Sequence, residues 1–364
     1  MVSKEIKFSR GVPPTESFPI DRLVECSRTA LEKYGKDILQ YGASRGFAPL
    51  CHLLAEKAGV ADNRVVIGQG SLSLQDYLAR NILGPGTLAY VEKPSYDRTV
   101  NIFKKAKADV VGIPLQEDGL DVDFLQDRLN AGERPVILYI IPDFQNPSGV
   151  VLSHEKRKRV AALADQYGFW IMEDVPYRVL RYAGEDIPSM FDIIPHRTIQ
   201  MSSYSKQIAP GLRVGYAVLP EELQGTMAKT LEDAYISPTF LAQATVFDFI
   251  QRGWLDENLA SLRKLYKPRK DALLSALDEH FGDMATWFRP DGGFFVGMNI
   301  KGKMSQTELL KRCKEDSLIM TDGRAFFTDD SGENFIRLPF CALTEDELRE
   351  GAQRLSVIVR DLVH

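Results

Sequence analysis

The chain has 364 residues, 44% of them hydrophobic and 26% charged, which allows about two domains with a sizeable core and excludes a disordered polymer. Lys and Arg number 45 against 50 Asp and Glu, a net charge of −5, and this argues against a dedicated nucleic-acid binder, whose domain is usually basic. The four cysteines, Cys26, Cys51, Cys313 and Cys341, form no CxxC pair and the five histidines are scattered, so the spacing indicates neither a metal site nor a disulfide framework.

Residues 1–7 lack the apolar centre of a secretion signal, so a cytoplasmic location is expected. A first helix is predicted near residues 21–33. Residues 64–67 read as a strand, and Leu74, Tyr77, Leu78 and Ile82 then follow helical spacing. Residues 88–91 form a second strand and residues 136–141 a third, apolar throughout. A run apolar on both faces suits the centre of a parallel sheet covered by helices on both sides, and it is far too short to cross a bilayer. Ser153 is placed to cap a helix carrying Val160, Leu163 and Tyr167, which Gly168 ends. Strands at 169–172, 198–201 and 215–218 complete a doubly wound α/β pattern.

From about residue 256 the pattern changes. A long amphipathic segment carries Leu259, Leu262, Tyr266, Leu273, Leu277 and Phe281, and Pro268 inside it is expected to kink it. A strand at 293–300, a helix near 306–313, a strand at 335–338 and a last helix from Glu345 read as a smaller α+β domain. The first helix is expected to pack on it. The basic run Lys156-Arg157-Lys158-Arg159 reads as a solvated helix face and His154 as a surface residue. Trp170, Trp254 and Trp287 read as packing residues.

Ligands of open α/β sheets bind beyond the carboxyl ends of the strands, so the polar loops there are weighed together. Gly68-Gln69-Gly70-Ser71-Leu72 joins a strand to a helix, where close backbone approach and free N–H groups suit a phosphate; an ordinary glycine turn reads the same way. Asp143-Phe144-Gln145-Asn146-Pro147-Ser148-Gly149 offers Asn146 as a hydrogen-bonding group, or a plain Asn-Pro turn. Glu173-Asp174 ends an apolar strand with Tyr177 three residues beyond, and a carboxylate there is costly unless it meets a cation or donors. Ser202-Ser203-Tyr204-Ser205-Lys206, followed by Arg213, can hold a phosphate beside a nucleophilic lysine. One joint solution satisfies all of these. A lysine forms a Schiff base, an acid faces a ring nitrogen, Asn and Tyr face a ring oxygen, and serines, an arginine and a helix start hold a phosphate. That is the site pyridoxal phosphate requires.

These motifs resemble fold-type I pyridoxal-phosphate enzymes of the class I/II aminotransferases, nearest the 2-aminoadipate and kynurenine aminotransferase subgroup. The resemblance spans nearly the whole chain. It includes Gln40-Tyr41-Gly42, Gly70-Ser71, Glu92-Lys93-Pro94-Ser95-Tyr96, Phe144 to Gly149, Glu173-Asp174 with Tyr177-Arg178, Ser203 to Lys206, Pro210-Gly211-Leu212-Arg213, Gly292-Gly293-Phe294-Phe295 and Phe335-Ile336-Arg337-Leu338. It implies a large domain (41–260) with a mostly parallel seven-stranded sheet, a small α+β domain (21–40 and 261–364) and an N-terminal arm (1–20). It implies Lys206, Asp174 and Tyr177 as catalytic residues. Gly70, Ser71, Leu72, Tyr96, Asn146, Asp174, Tyr177, Ser203, Ser205, Lys206 and Arg213 would bind the cofactor, joined by Tyr41 from a neighbouring subunit of a homodimer. Arg337, Gly11, Arg10 and Asn146 would bind the substrate, with Arg337 gripping its α-carboxylate. No metal, nucleic-acid or membrane partner is implied.

The expected activity is transfer of the amino group of an L-amino acid to a 2-oxo acid. Some features depart from the subgroup: Arg10 stands where a glycine is usual, Leu72 and Ser73 replace glutamines, and residues 321–326 form an altered loop containing Arg324. Arg10 and Arg324 therefore read either as extra anion clamps or as surface arginines. The altered loops also leave open a lyase or cyclase acting through the same cofactor. A ligand-sensing regulator on this fold would carry a DNA-binding domain ahead of the substrate loop, which begins by residue 8.

Overall fold

Residues 4–9 and 11–363 are described by a computed structural model. The chain opens with β1 (Ile6–Phe8), α1 (Ile20–Ile38) and α2 (Ala48–Ala58). Strand and helix then alternate through β2 (Val65–Gln69), α3 (Ser71–Ile82), β3 (Leu88–Lys93), α4 (Asp97–Lys105), β4 (Asp109–Gln116), β5 (Gly119–Leu120), α5 (Val122–Asn130) and β6 (Pro135–Ile140). They continue through α6 (His154–Tyr167), β7 (Trp170–Asp174), α7 (Met190–Ile193), β8 (Thr198–Ser203) and β9 (Val214–Val218). Helices α8 (Glu221–Tyr235), α9 (Phe240–Gln251) and α10 (Trp254–Phe281) follow. The last part holds β10 (Ala285–Trp287), β11 (Phe295–Ile300), α11 (Gln306–Glu315), β12 (Leu318–Met320), β13 (Phe335–Pro339) and α12 (Glu345–Leu362).

The large sheet has eight strands in the order β2-β9-β8-β7-β6-β3-β4-β5. Seven were expected; the eighth is the two-residue β5, which folds back antiparallel on β4 at the edge. β4 gives little strand signal because it carries Gly112 and Pro114 and lies half exposed. The apolar β6 sits inside the sheet, with Ile137, Leu138, Tyr139 and Ile140 fully buried, as a strand covered on both faces must be. Pairings among β3, β4, β6, β7 and β8 are parallel, whereas β9 runs antiparallel to both β2 and β8. The carboxyl ends of the parallel strands therefore share one edge of the sheet, and the amino end of β9 joins them there.

The antiparallel strands β10-β11-β13 form a second, smaller sheet, and α10 and α12 pack against each other. The pair β1 and β12 runs parallel and ties the N-terminal strand to this part of the chain. Helix α10 continues through Pro268 without a break. The first helix, expected against the α+β part, lies instead along α9, with Ser27 Oγ 3.3 Å from Thr245 Oγ1. The three tryptophans are half-buried packing residues, as expected. Among the described residues no helix is long and apolar enough to cross a membrane.

Helix α6 begins and ends where its caps put it, on the Ser153 side chain and on Gly168 in the left-handed conformation. His154 is exposed, but the basic run beside it is not one solvated face. Arg157 shares the helical spacing of Val160, Ala161 and Ala164, which turns it inward, and it is fully buried. There its guanidinium meets Asp143 at 2.9 Å and donates to the carbonyls of Leu152, Pro142 and Pro188. Arg178 and Arg181 stand 3.5 and 3.3 Å from the same carboxylate.

Candidate active site

The strand ends at the shared edge open onto a cavity of about 540 Å³. β2 delivers Gly70, Ser71 and Leu72; the turn after β3 delivers Tyr96; the loop after β6 delivers Asn146. β7 delivers Asp174 and, just beyond it, Tyr177, while β8 delivers Ser203, Ser205 and Lys206. Arg213 precedes β9 and reaches the same edge only because that strand is antiparallel. From the smaller sheet β13 contributes Arg337 and β11 contributes Phe295.

Two adjacent carboxylates at the end of β7 have opposite fates, because successive strand residues point to opposite faces. Glu173 turns away and accepts hydrogen bonds from the backbone of Met190 and Phe191 and from Gln200. Asp174 turns toward the cavity. Its Oδ2 accepts from Gln75 Nε2 and from the Tyr139 hydroxyl, each at 3.0 Å, while the buried Oδ1 has no partner among the described residues. Burial pushes the Asp174 pKa up to about 6, with the Tyr139 and Gln75 donors pulling against it. Tyr177 and Tyr96 border the same space, and burial raises both phenols so that they remain neutral donors.

Among the described residues Lys206 meets no carboxylate; its Nζ donates to the Gly11 carbonyl at 3.0 Å. Burial lowers its pKa, and the Arg337 and Arg213 charges push the same way, so the amine is biased toward the neutral nucleophilic form. Around the far end of the cavity Ser203 Oγ and Ser205 Oγ lie 2.9 Å apart, with Arg213 Nη1 3.4 Å from Ser205 Oγ. The amino end of α3 begins here at Ser71. Gly70 has φ of 82° and a Cβ there would collide with the Arg213 guanidinium, so glycine is required. Free helix N–H groups, two hydroxyls and an arginine with no carboxylate partner among the described residues form an anion cradle. Leu72 adds no side-chain donor to it.

Arg337 is buried and, among the described residues, has no acidic partner. It lies between the rings of Phe295 and Phe326, 4.8 and 4.7 Å from their centroids. Its Nη1 donates to Asn146 Oδ1 at 3.1 Å and its Nη2 to the Ser9 carbonyl at 3.0 Å and the Thr321 hydroxyl at 3.3 Å, while Nε has no partner among the described residues. A buried guanidinium in this state is a socket for a carboxylate. The N-terminal segment crosses over it: Ser9 also accepts from Thr321, and Val12 accepts from the Cys341 thiol. Gly11 fits only as glycine, because a Cβ would enter the Phe295 ring.

The cavity thus gathers Lys206, Asp174, Tyr177, Gly70, Ser71, Leu72, Tyr96, Asn146, Ser203, Ser205, Arg213, Arg337 and Gly11. Tyr41 is not among them; it is 76% exposed, just past α1. Arg10 lies outside the described residues. Arg324 is no anion clamp, since its guanidinium is bound to Asp322 at 2.7 Å and Glu333 at 3.2 Å. Gln75 and Tyr139 escape a sequence reading: both sit in apolar surroundings at core spacing, and the only signal is a polar group where an aliphatic one is expected.

The residues fit pyridoxal phosphate on the structure's own terms: the unpartnered Asp174 oxygen, the unpaired Arg337, the buried amine and the anion cradle share one cavity. Comparisons with known proteins agree. The sequence model of the family described as "Aminotransferase class I and II" matches residues 3–355. Aromatic-amino-acid aminotransferase 1 of Thermococcus litoralis is 32% identical, over 99% of this chain and 89% of its own. The solved α-aminoadipate aminotransferase of Thermus thermophilus, complexed with N-(5'-phosphopyridoxyl)-L-leucine, superposes with a TM-score of 0.93 at 31% identity, over 98% of this chain and 92% of that one. The kynurenine aminotransferase of Pyrococcus horikoshii, solved with PMP, reaches 0.94 at 29% identity, over 99% and 91%.

Proposed function

The chain belongs to the class I and II aminotransferase family and is a pyridoxal-phosphate-dependent aminotransferase, and we propose that Lys206, Asp174 and Arg337 are the residues on which its transfer of an amino group from an L-amino acid to a 2-oxo acid turns. The observation that carries this assignment is the coincidence, in one cavity, of a buried Asp174 oxygen without a hydrogen-bond partner and a buried Arg337 guanidinium without an acidic partner among the described residues.

When bound, pyridoxal phosphate supplies a conjugated electron sink that lets an amino acid lose its Cα proton. Asp174 Oδ1 would hold the ring nitrogen and keep it charged. Asn146 and Tyr177 would donate to the ring oxygen, and Tyr96 would lie against the ring. The α3 amino end with Gly70, Ser71 and Leu72, together with Ser203, Ser205 and Arg213, would hold the phosphate. Lys206 Nζ would bond the cofactor when idle. Once displaced, it would carry the proton away from and back to the substrate, which requires the neutral amine that burial favours. Arg337 would take the α-carboxylate as a two-pronged pair.

The substrate's carboxylate would replace the Ser9 carbonyl on Arg337 Nη2, so Ser9 would shift as substrate enters. Gly11 would give that segment its close approach to Phe295. The exposed Tyr41, with exposed Ile20, Val24, Leu31 and Leu39 on and after α1, supports a homodimer in which Tyr41 completes the partner's phosphate cradle. Of the two altered loops that prompted the elimination or cyclisation reading, the one with Arg324 is closed by its own ion pairs, and Arg10 of the other lies outside the described residues. Incubating the cofactor-loaded protein with a panel of L-amino acids and 2-oxoglutarate should yield glutamate for at least one donor. Absence of glutamate across the panel, with the cofactor demonstrably bound, would count against the assignment.

A further inference from the structure

We propose that Gln75, Tyr139 and Thr99 are positioning residues that keep the Asp174 carboxylate ionised and hold its single free oxygen toward the cavity, an inference that rests on reading Asp174 as the ring-nitrogen partner. The three come from separate elements, α3, β6 and α4, and meet beside the end of β7. All are buried among apolar side chains. An aliphatic residue at any of these positions would avoid the cost of burying a polar group, so packing alone does not account for them.

The direction of each hydrogen bond matters. Thr99 Oγ donates to Gln75 Oε1 at 2.6 Å, which fixes the amide so that Nε2 must point the other way, at Asp174 Oδ2. The Tyr139 hydroxyl, kept protonated by burial, donates to the same oxygen. Two donors on Oδ2 set the plane of the carboxylate and leave Oδ1 free. They also favour the charged form against burial, which by itself would neutralise the acid. Other titratable groups face Asp174. Tyr96 at the start of α4 and Tyr177 beyond β7 are both held neutral by burial, and the cations Lys206, Arg213 and Arg337 line the same cavity. None of these donates to Oδ2.

The test reads the carboxyl itself. In cofactor-free protein labelled with 13C at aspartate carboxyls, the Asp174 resonance is assigned by its loss in Asp174→Asn and titrated. The wild-type midpoint should lie near 6. Gln75→Leu and Tyr139→Phe should each raise it by about one pH unit, the size expected for losing one donor to a charged group. Thr99→Val should move it the same way by less. In the loaded protein the Gln75 and Tyr139 variants should release cofactor faster on dialysis. Folded variants whose midpoint stays at the wild-type value would overturn the proposal. Tyr139→Phe removes one oxygen and is the decisive variant if Gln75→Leu does not fold. Because the titration needs no cofactor, its outcome is separate from whether Asp174 meets the ring nitrogen, which the failure of Asp174→Asn to retain cofactor would report.

Discussion

Asp143 and Arg337 are both buried charges, yet their surroundings differ in kind. Asp143 is surrounded by Arg157, Arg178 and Arg181, and Arg157 spends its remaining donors on three carbonyls. Arg337 faces a neutral amide, a hydroxyl, a carbonyl and two aromatic rings, with one nitrogen left over among the described residues. A charge whose partners are all within the fold holds the loop after β6 in place. A charge left without a counter-ion costs stability and is retained where a ligand supplies the missing partner. The same contrast separates Glu173 from its neighbour Asp174.

The contrast can be broken first at Arg157. Arg157→Met should destabilise the protein by about 3–5 kcal/mol, because it strips a buried carboxylate of its best partner. Chemical denaturation measures this, and the folded fraction should still bind cofactor. Arg337→Leu should act in the opposite sense. It should leave stability unchanged or improved while lowering kcat/KM by roughly 10²–10³-fold, about 3–4 kcal/mol of lost binding in the transition state. A large loss of stability in that variant would mean that Arg337 is structural after all.

Asp174 sharpens the comparison through pH. Its pKa is raised to about 6 in the folded chain from 3.8, so the ionised form is disfavoured by folding. The cost is absent below the unfolded value, grows as pH rises between the two, and is complete above the folded value. Asp174→Asn should therefore stabilise the cofactor-free protein by up to about 3 kcal/mol above pH 7, with the gain fading between pH 6 and 4. Thermal melts across that range check the sign. The smallest effect is at the phosphate cradle, where Leu72→Gln adds a donor. It should tighten cofactor binding by about 1 kcal/mol, roughly fivefold, in a fluorescence titration.

Much of the site was legible because its chemistry sits at strand ends. Asp174 and Asn146 each follow an apolar run, where a polar residue needs a reason, and Lys206 follows a serine-rich strand end. The caps of α6 were legible from Ser153 and Gly168 for the same local cause. What stayed hidden depends on tertiary placement. Arg157 reads as one of four surface cations until the helix is docked and its face is fixed. Gln75 and Tyr139 look like core positions until β7 brings Asp174 between them. The arrival of Arg213 at the cavity depends on β9 running antiparallel, which no period in the sequence records. Arg324 looked like a free cation until the fold closed it against Glu333.

The central claim is that a single amine in this cavity carries the cofactor. Incubation with pyridoxal phosphate, reduction with borohydride and peptide mapping by mass spectrometry test it directly. A phosphopyridoxyl adduct is expected on Lys206 and none in the Lys206→Ala variant. A peptide containing unmodified Lys206, or an adduct carried by another lysine in protein that transaminates, would contradict it.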